Sequence, residues 1–136
     1  MAAGDPARMS TTKGGSVSTT TTFDLDRFTR AAEERDAATQ LSMYAPDATI
    51  TIVDRITQPG SPRVLCTLEE IQAFLEDLYG RDMTHKVTHR VGGQSGAAYT
   101  LACRYPDGTN VLCATVFELE AGQISNQTVV QVWDEK

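Results

Sequence analysis

The sequence predicts an α+β domain with helices packed on one face of a curved, mostly antiparallel sheet. Two observations predict it. Apolar residues recur at helical spacing in three segments before Gly80, and beyond it they alternate with polar ones at a period of two through four long segments. A chain of 136 residues is long enough for one domain with a real core and too short for two ordinary ones.

Residues 1–22 are rich in Ser, Thr and Gly and nearly free of large apolar side chains, so burial cannot offset their ordering entropy. They read as a disordered leader to a single domain over 23–136. Asp24 caps a first helix whose Leu25, Phe28, Ala31, Ala32 and Arg35 share one stripe. Asp36 opens a short second helix that carries Leu41 and Tyr44 and is stopped by Pro46. "ATITIVD" (48–54) is a β-branched strand, 57–62 a loop and 63–66 a short return strand. Thr67, with Glu70 at capping-box spacing, starts a third helix; Leu68, Ile71, Phe74, Leu75 and Leu78 form its stripe and Gly80 ends it. The rest is a meander of strands near 84–92, 96–106, 109–120 and 123–134, with turns at "GGQSG", "PDGT" and "EAGQ".

Composition excludes several classes. A net charge of -6 opposes binding to a phosphate backbone, so nucleic acid is not an expected partner. No apolar run reaches the roughly 18 residues of a membrane span, and the amino terminus lacks a secretory apolar core. A cytoplasmic location follows as the expectation. Cys66, Cys103 and Cys113 are odd in number and scattered, and read as reduced, buried thiols. The only histidines, His85 and His89, stand four apart, but "THKVTHRV" alternates as a strand, which separates their backbones by roughly 13 Å. One zinc cannot serve two nitrogens that far apart. No H-E-x-x-H, paired-cysteine set, G-x-G-x-x-G, P-loop or G-x-S-x-G is present. Neither a metal nor a cofactor is expected.

With the stretches "AAEERD", "MYAPDATI", "TLEEIQAFLEDLYG" and "LEAGQI", residues 23–134 resemble the nuclear transport factor 2-like superfamily, in particular its SnoaL-like branch. The resemblance implies a cone of about six strands with three helices from the first half of the chain, of cystatin-like topology, closed around an apolar pocket. Members include polyketide cyclases, ketosteroid isomerases, dehydratases and non-catalytic binding domains, so the fold alone does not name the function. Matching by position puts the isomerases' catalytic tyrosine, general base and protonated aspartate on Phe28, Ile52 and Thr115. None can do that chemistry, and the isomerase mechanism is rejected.

The resemblance turns Ile50, Ile52 and Asp54, then Val111, Cys113, Thr115, Phe117 and Leu119, then Gln127, Val129, Gln131 and Trp133 into the cone. Alternation adds His85, Val87, His89 and Val91, and Tyr99, Leu101, Cys103 and Tyr105. The expected site thus takes a small hydrophobic or amphipathic ligand. Asp54 and His85 are the candidate base and acid for cofactor-free cyclisation, dehydration or isomerisation of a carbonyl compound such as a polyketide. Phe28, Tyr44, Ile52, His89, Tyr99, Thr115, Phe117, Gln127, Gln131 and Trp133 are the candidate ligand wall. Each has a plainer reading: Asp54 as a solvated strand end beside Arg55, the histidines and tyrosines as core packing. A non-catalytic ligand-binding or interaction domain is the competing class. On the reverse face, Leu112, Ala114, Val116, Val130 and Val132 leave apolar surface that a second copy would cover, so a homodimer is expected.

Overall fold

The computed structural model describes residues 22–135. The leader expected over 1–22 lies outside them except for Thr22. Element order is α1 (Leu25–Glu34), α2 (Ala37–Leu41), β1 (Tyr44–Val53), β2 (Arg63–Leu65), α3 (Leu68–Gly80), β3 (Thr84–Gly92), β4 (Gly96–Arg104), β5 (Asn110–Glu120) and β6 (Gln123–Trp133). Among the described residues, three helices and one six-stranded sheet make the α+β architecture that the order of elements predicts.

Each helix starts where a short polar side chain can accept from its first free amides. Asp24 accepts from Arg27 N at 3.0 Å, Asp36 from Thr39 N at 3.1 Å and Thr67 from Glu70 N at 3.1 Å. The Glu70 carboxylate reaches back to Cys66 N at 2.8 Å, one residue before the cap. Cys66 is exposed, against the expectation of a buried thiol, because β2 has ended at Leu65 and α3 has not begun. Arg35, expected in the stripe of α1, instead ends that helix in the left-handed region at φ 57°.

The sheet runs β2-β1-β6-β5-β4-β3, antiparallel throughout except for the parallel β1–β6 pair. β5 and β6 join through Ala121 and Gly122, both at positive φ, the backbone that a two-residue hairpin loop demands. Alternation along β5 is complete, with Val111, Cys113, Thr115, Phe117 and Leu119 buried and their neighbours exposed. The inner sheet face meets Phe28 and Ala32 of α1 and Ile71, Phe74, Leu75 and Tyr79 of α3, and that layer is the core.

Two elements depart from the sequence reading. The second helix stops at Leu41, so Tyr44 begins β1 instead of ending a helix. Pro46 lies inside that strand, where the β1–β6 register shifts between Tyr44 and Thr49 and no ladder amide is demanded of it. In β3 the register shifts between Val87 and His89: Val87 stands opposite Leu101, yet His89 stands opposite Thr100. This bulge inserts Thr88 and reverses the facing of everything after it. His89 and Val91 are therefore exposed, and the amide of Val87 is taken by the Glu33 carboxylate of α1 at 2.8 Å.

Candidate functional site

Under the helices the inner sheet face encloses a chamber of about 40 Å³. Its wall is Gln40 from α2, Phe74, Leu75, Leu78 and Tyr79 from α3, and Tyr44, Tyr99, Leu101, Cys113, Thr115, Gln127, Val129 and Gln131 from the strands. Two hydrogen-bonded chains tie this wall together. Tyr44 donates its hydroxyl to Gln127 Oε1 at 2.5 Å, and Gln127 Nε2 donates to Thr115 Oγ1 at 2.8 Å, which links β1, β6 and β5. Tyr79 donates to Gln40 Oε1 at 2.7 Å, and Gln40 Nε2 donates to the carbonyl of Phe28 at 3.0 Å, which links α3, α2 and α1. The partners that buried amides require thus come from the protein itself.

Among the described residues no charged side chain lines the chamber. Burial raises the phenol pKa of Tyr44 and Tyr79 well above the ordinary value, with the nearby Tyr99 adding to it, and burial does the same to Tyr99. A phenol so held stays protonated and cannot act as a base; Tyr44 and Tyr79 already donate their single O–H to Gln127 and Gln40, so a ligand carbonyl takes their hydrogen bond only by displacing those partners.

Phe74, Leu78 and Gln131 also form one side of a second space of about 160 Å³ that opens to solvent. Its other walls are Asp54, Arg55, Ile56 and Arg63 around the β1–β2 loop, Asp77 of α3, Arg81 just beyond that helix, and Trp133. Arg81 pairs with Asp77 at 2.8 Å and donates to the Tyr105 hydroxyl at 3.0 Å. Tyr105 stacks on Trp133, with centroids 5.7 Å apart. The Asp54 carboxylate faces its own turn and accepts from Ile56 N at 3.0 Å and Thr57 Oγ1 at 3.2 Å. Phe74, Leu78 and Gln131 stand between the chamber and this vestibule; opened into one, the two would make a stepped cleft with neutral groups at its floor and charges at its mouth.

A family model for the SnoaL-like domain matches residues 25–127. The chain belongs to that family. Solved structures with the same fold include a provisional ketosteroid isomerase from Kribbella flavida DSM 17836, at 16% identity and TM-score 0.64 over 82% of this chain and 75% of that one. SalBIII, an epoxide hydrolase/cyclase-like enzyme of pyran ring formation in the polyether salinomycin, is 21% identical with TM-score 0.61, covering 79% of this chain and 87% of its own. An NTF-2 like protein of unknown function from Burkholderia xenovorans LB400 is 17% identical with TM-score 0.66, covering 82% and 80%. None of the curated proteins matches.

The SnoaL-like domain brings Tyr44, Tyr99, Thr115, Gln127 and Gln131 together in the chamber, and Asp54, Gln131 and Trp133 in the vestibule. Phe28, Ile52 and Phe117 are at most 1% exposed and fill the core behind the wall. His85 is buried too, but outside both walls. Its Nδ1 lies 3.2 Å from Cys103 Sγ, its ring meets Tyr79 edge-on at 5.3 Å, and its Nε2 has no hydrogen-bond partner among the described residues. Asp54 and His85 therefore do not border a common space. The expectation that His89 lies deeper in the same cavity is corrected by the bulge. His89 lies on the outer face near Thr100 and beside an open polar groove between α1 and β3, where Arg90 pairs with Asp26 at 2.9 Å. Sequence reasoning missed Gln40 and Tyr79. Tyr79 continues the four-residue spacing of Ile71 and Leu75, a signal that was available; Gln40, a polar residue on a five-residue helix, gave none.

Proposed function

We propose that this SnoaL-like domain binds a small, mostly apolar molecule in the stepped cleft, with a carbonyl or hydroxyl directed at the tyrosine floor and the apolar body along Phe74 and Leu78. The observation that supports this most is the chemistry of the floor: three buried phenols among apolar and uncharged polar side chains, a lining that suits a neutral, mostly apolar group. The chamber alone has room for a few waters. A ligand needs the wall of Phe74 and Leu78 to turn aside and join chamber to vestibule. Substituting Leu78→Trp, which thickens that wall, should abolish the thermal protection that any cleft ligand gives the parent chain. A ligand that protects both equally binds elsewhere and removes the basis of this reading.

A second reading, cofactor-free acid/base catalysis, is favoured by one observation. Asp54 is the carboxylate of the vestibule that carries no ion pair, while Asp77 is engaged by Arg81. In that reading Asp54 takes a proton at the mouth and the phenols stabilise oxygen charge on the floor. The fold shared with SalBIII and the Kribbella protein is compatible with it. A ligand found by thermal shift should then be converted by the parent and bound without conversion by Asp54→Asn. Binding without turnover by the parent itself makes the domain a receptor.

We also propose a homodimer through the outer sheet face, where Leu112, Val116, Val130 and Val132 are 41–63% exposed on adjacent strands. Sedimentation at micromolar concentration should give twice the chain mass, and Val116→Lys with Val132→Lys should give the monomer. A parent that sediments as a monomer rules the dimer out.

A further inference from the structure

In a chain with a net charge of -6, the mouth of the cleft is locally cationic. Three arginines and two aspartates line it, and one of each is already spent on the Arg81–Asp77 pair. The Asp54 carboxylate is taken up by its own turn. That leaves Arg55 and Arg63. Each lies over an aromatic ring of the vestibule, Arg55 at 4.2 Å from the Trp133 centroid and Arg63 at 5.5 Å from that of Phe74. Among the described residues neither has an ion pair or a side-chain hydrogen bond. A ring steadies a guanidinium through its negative face but supplies no lone pair for the N–H donors, so both arginines are positioned while their N–H donors stay available to a ligand.

We propose that the vestibule is a carboxylate seat. The domain takes an amphipathic organic acid whose carboxylate is bound by Arg55 and Arg63 and whose apolar body passes Phe74 and Leu78 toward the chamber. The proposal rests on the cleft reading above and adds the class of ligand to it. Two planar, always-charged donors suit a carboxylate better than a neutral carbonyl, which can accept from them but returns no charge.

Trp133, the single tryptophan of the chain, reports from the vestibule itself. Fluorescence titration, repeated by calorimetry because Arg55 contributes to the Trp133 signal, compares phenylbutyrate and octanoate with their amides and with inorganic phosphate. The acids should bind at least about tenfold more tightly than the amides, as charged hydrogen bonds warrant, and the difference should shrink as ionic strength rises. In the Arg55→Gln/Arg63→Gln double variant the acids should fall to the level of the amides, with an unchanged far-ultraviolet circular dichroism spectrum. Acids and amides binding equally would overturn the carboxylate seat while leaving the cleft reading intact, provided Leu78→Trp blocks both. An acid preference that survives the double variant, phosphate binding as tightly as the acids, or no binding of any acid would each overturn it.

Discussion

A Phe28→Ala variant should unfold about 3 to 5 kcal/mol more easily than the parent, the usual cost of emptying a buried aromatic site, and its Tm should drop by roughly 10 °C or more. The ring is 1% exposed and lies within 5.1–6.2 Å, centroid to centroid, of Phe117, Phe23, Tyr44 and Tyr99. The residue also fixes α2, because its carbonyl accepts from Gln40, which in turn holds the Tyr79 hydroxyl. Collapse into the vacancy would draw Tyr44 and Tyr99 away from the chamber, so ligand protection should be lost together with stability. Phe28→Tyr separates packing from chemistry at the position matched to the isomerase tyrosine. It keeps the ring but buries an extra hydroxyl, at a cost of about 1 to 3 kcal/mol if that hydroxyl finds no partner. Chemical denaturation of the three proteins checks both statements. A loss below about 1 kcal/mol in Phe28→Ala would mean that the aromatic cluster is not a packed unit.

Much of this arrangement was legible because the strands after Gly80 obey a period of two and the caps are of the right chemical type. Asp24, Asp36 and Thr67 each cap the helix expected of them, and β3 to β6 begin and end within two residues of the expected positions. The inward sets on β1, β5 and β6 follow from parity once one residue of each strand is placed. Parity also explains the failure at His89. A single inserted residue at Thr88 inverts the facing of 89–91, and nothing in the alternation of "THKVTHRV" marks where the insertion falls. The stabilising partner of that bulge, Glu33, lies 54 residues away in sequence. Tyr44 was misassigned because Pro46 reads as a helix stop, although a register shift in a strand tolerates proline equally well. The separation of Asp54 from His85 was beyond local reading altogether: Asp54 follows β1 and borders the vestibule, while His85 on β3, at the opposite edge of the sheet, is buried against Tyr79 and Cys103 outside both spaces.

His85 should make the domain acid-labile in a defined window. Burial chiefly, and then the positive charge of Arg35, hold its pKa near 4, against an ordinary value of 6.5. The unfolded chain, with the ordinary value, therefore binds a proton between these two pH values when the folded one does not. Stability is unaffected by this group above about pH 6.5, falls as pH drops from 6.5 towards 4, and loses nothing more below the folded pKa. Between pH 6.5 and 4, at about 1.4 kcal/mol per pH unit, the loss is at most about 3.5 kcal/mol, large for a domain of this size. The surroundings give the reason: the ring is buried between Tyr79 and Cys103, and among the described residues its Nε2 has no acceptor to which an added proton could be donated. Urea unfolding at a series of pH values, on the parent and on His85→Leu, isolates the effect because carboxylate titrations common to both proteins cancel in the difference. The variant should lie below or near the parent at neutral pH and approach or overtake it towards pH 4. Parallel curves across the window would show that the imidazole is hydrated, or protonated without penalty, in the folded domain.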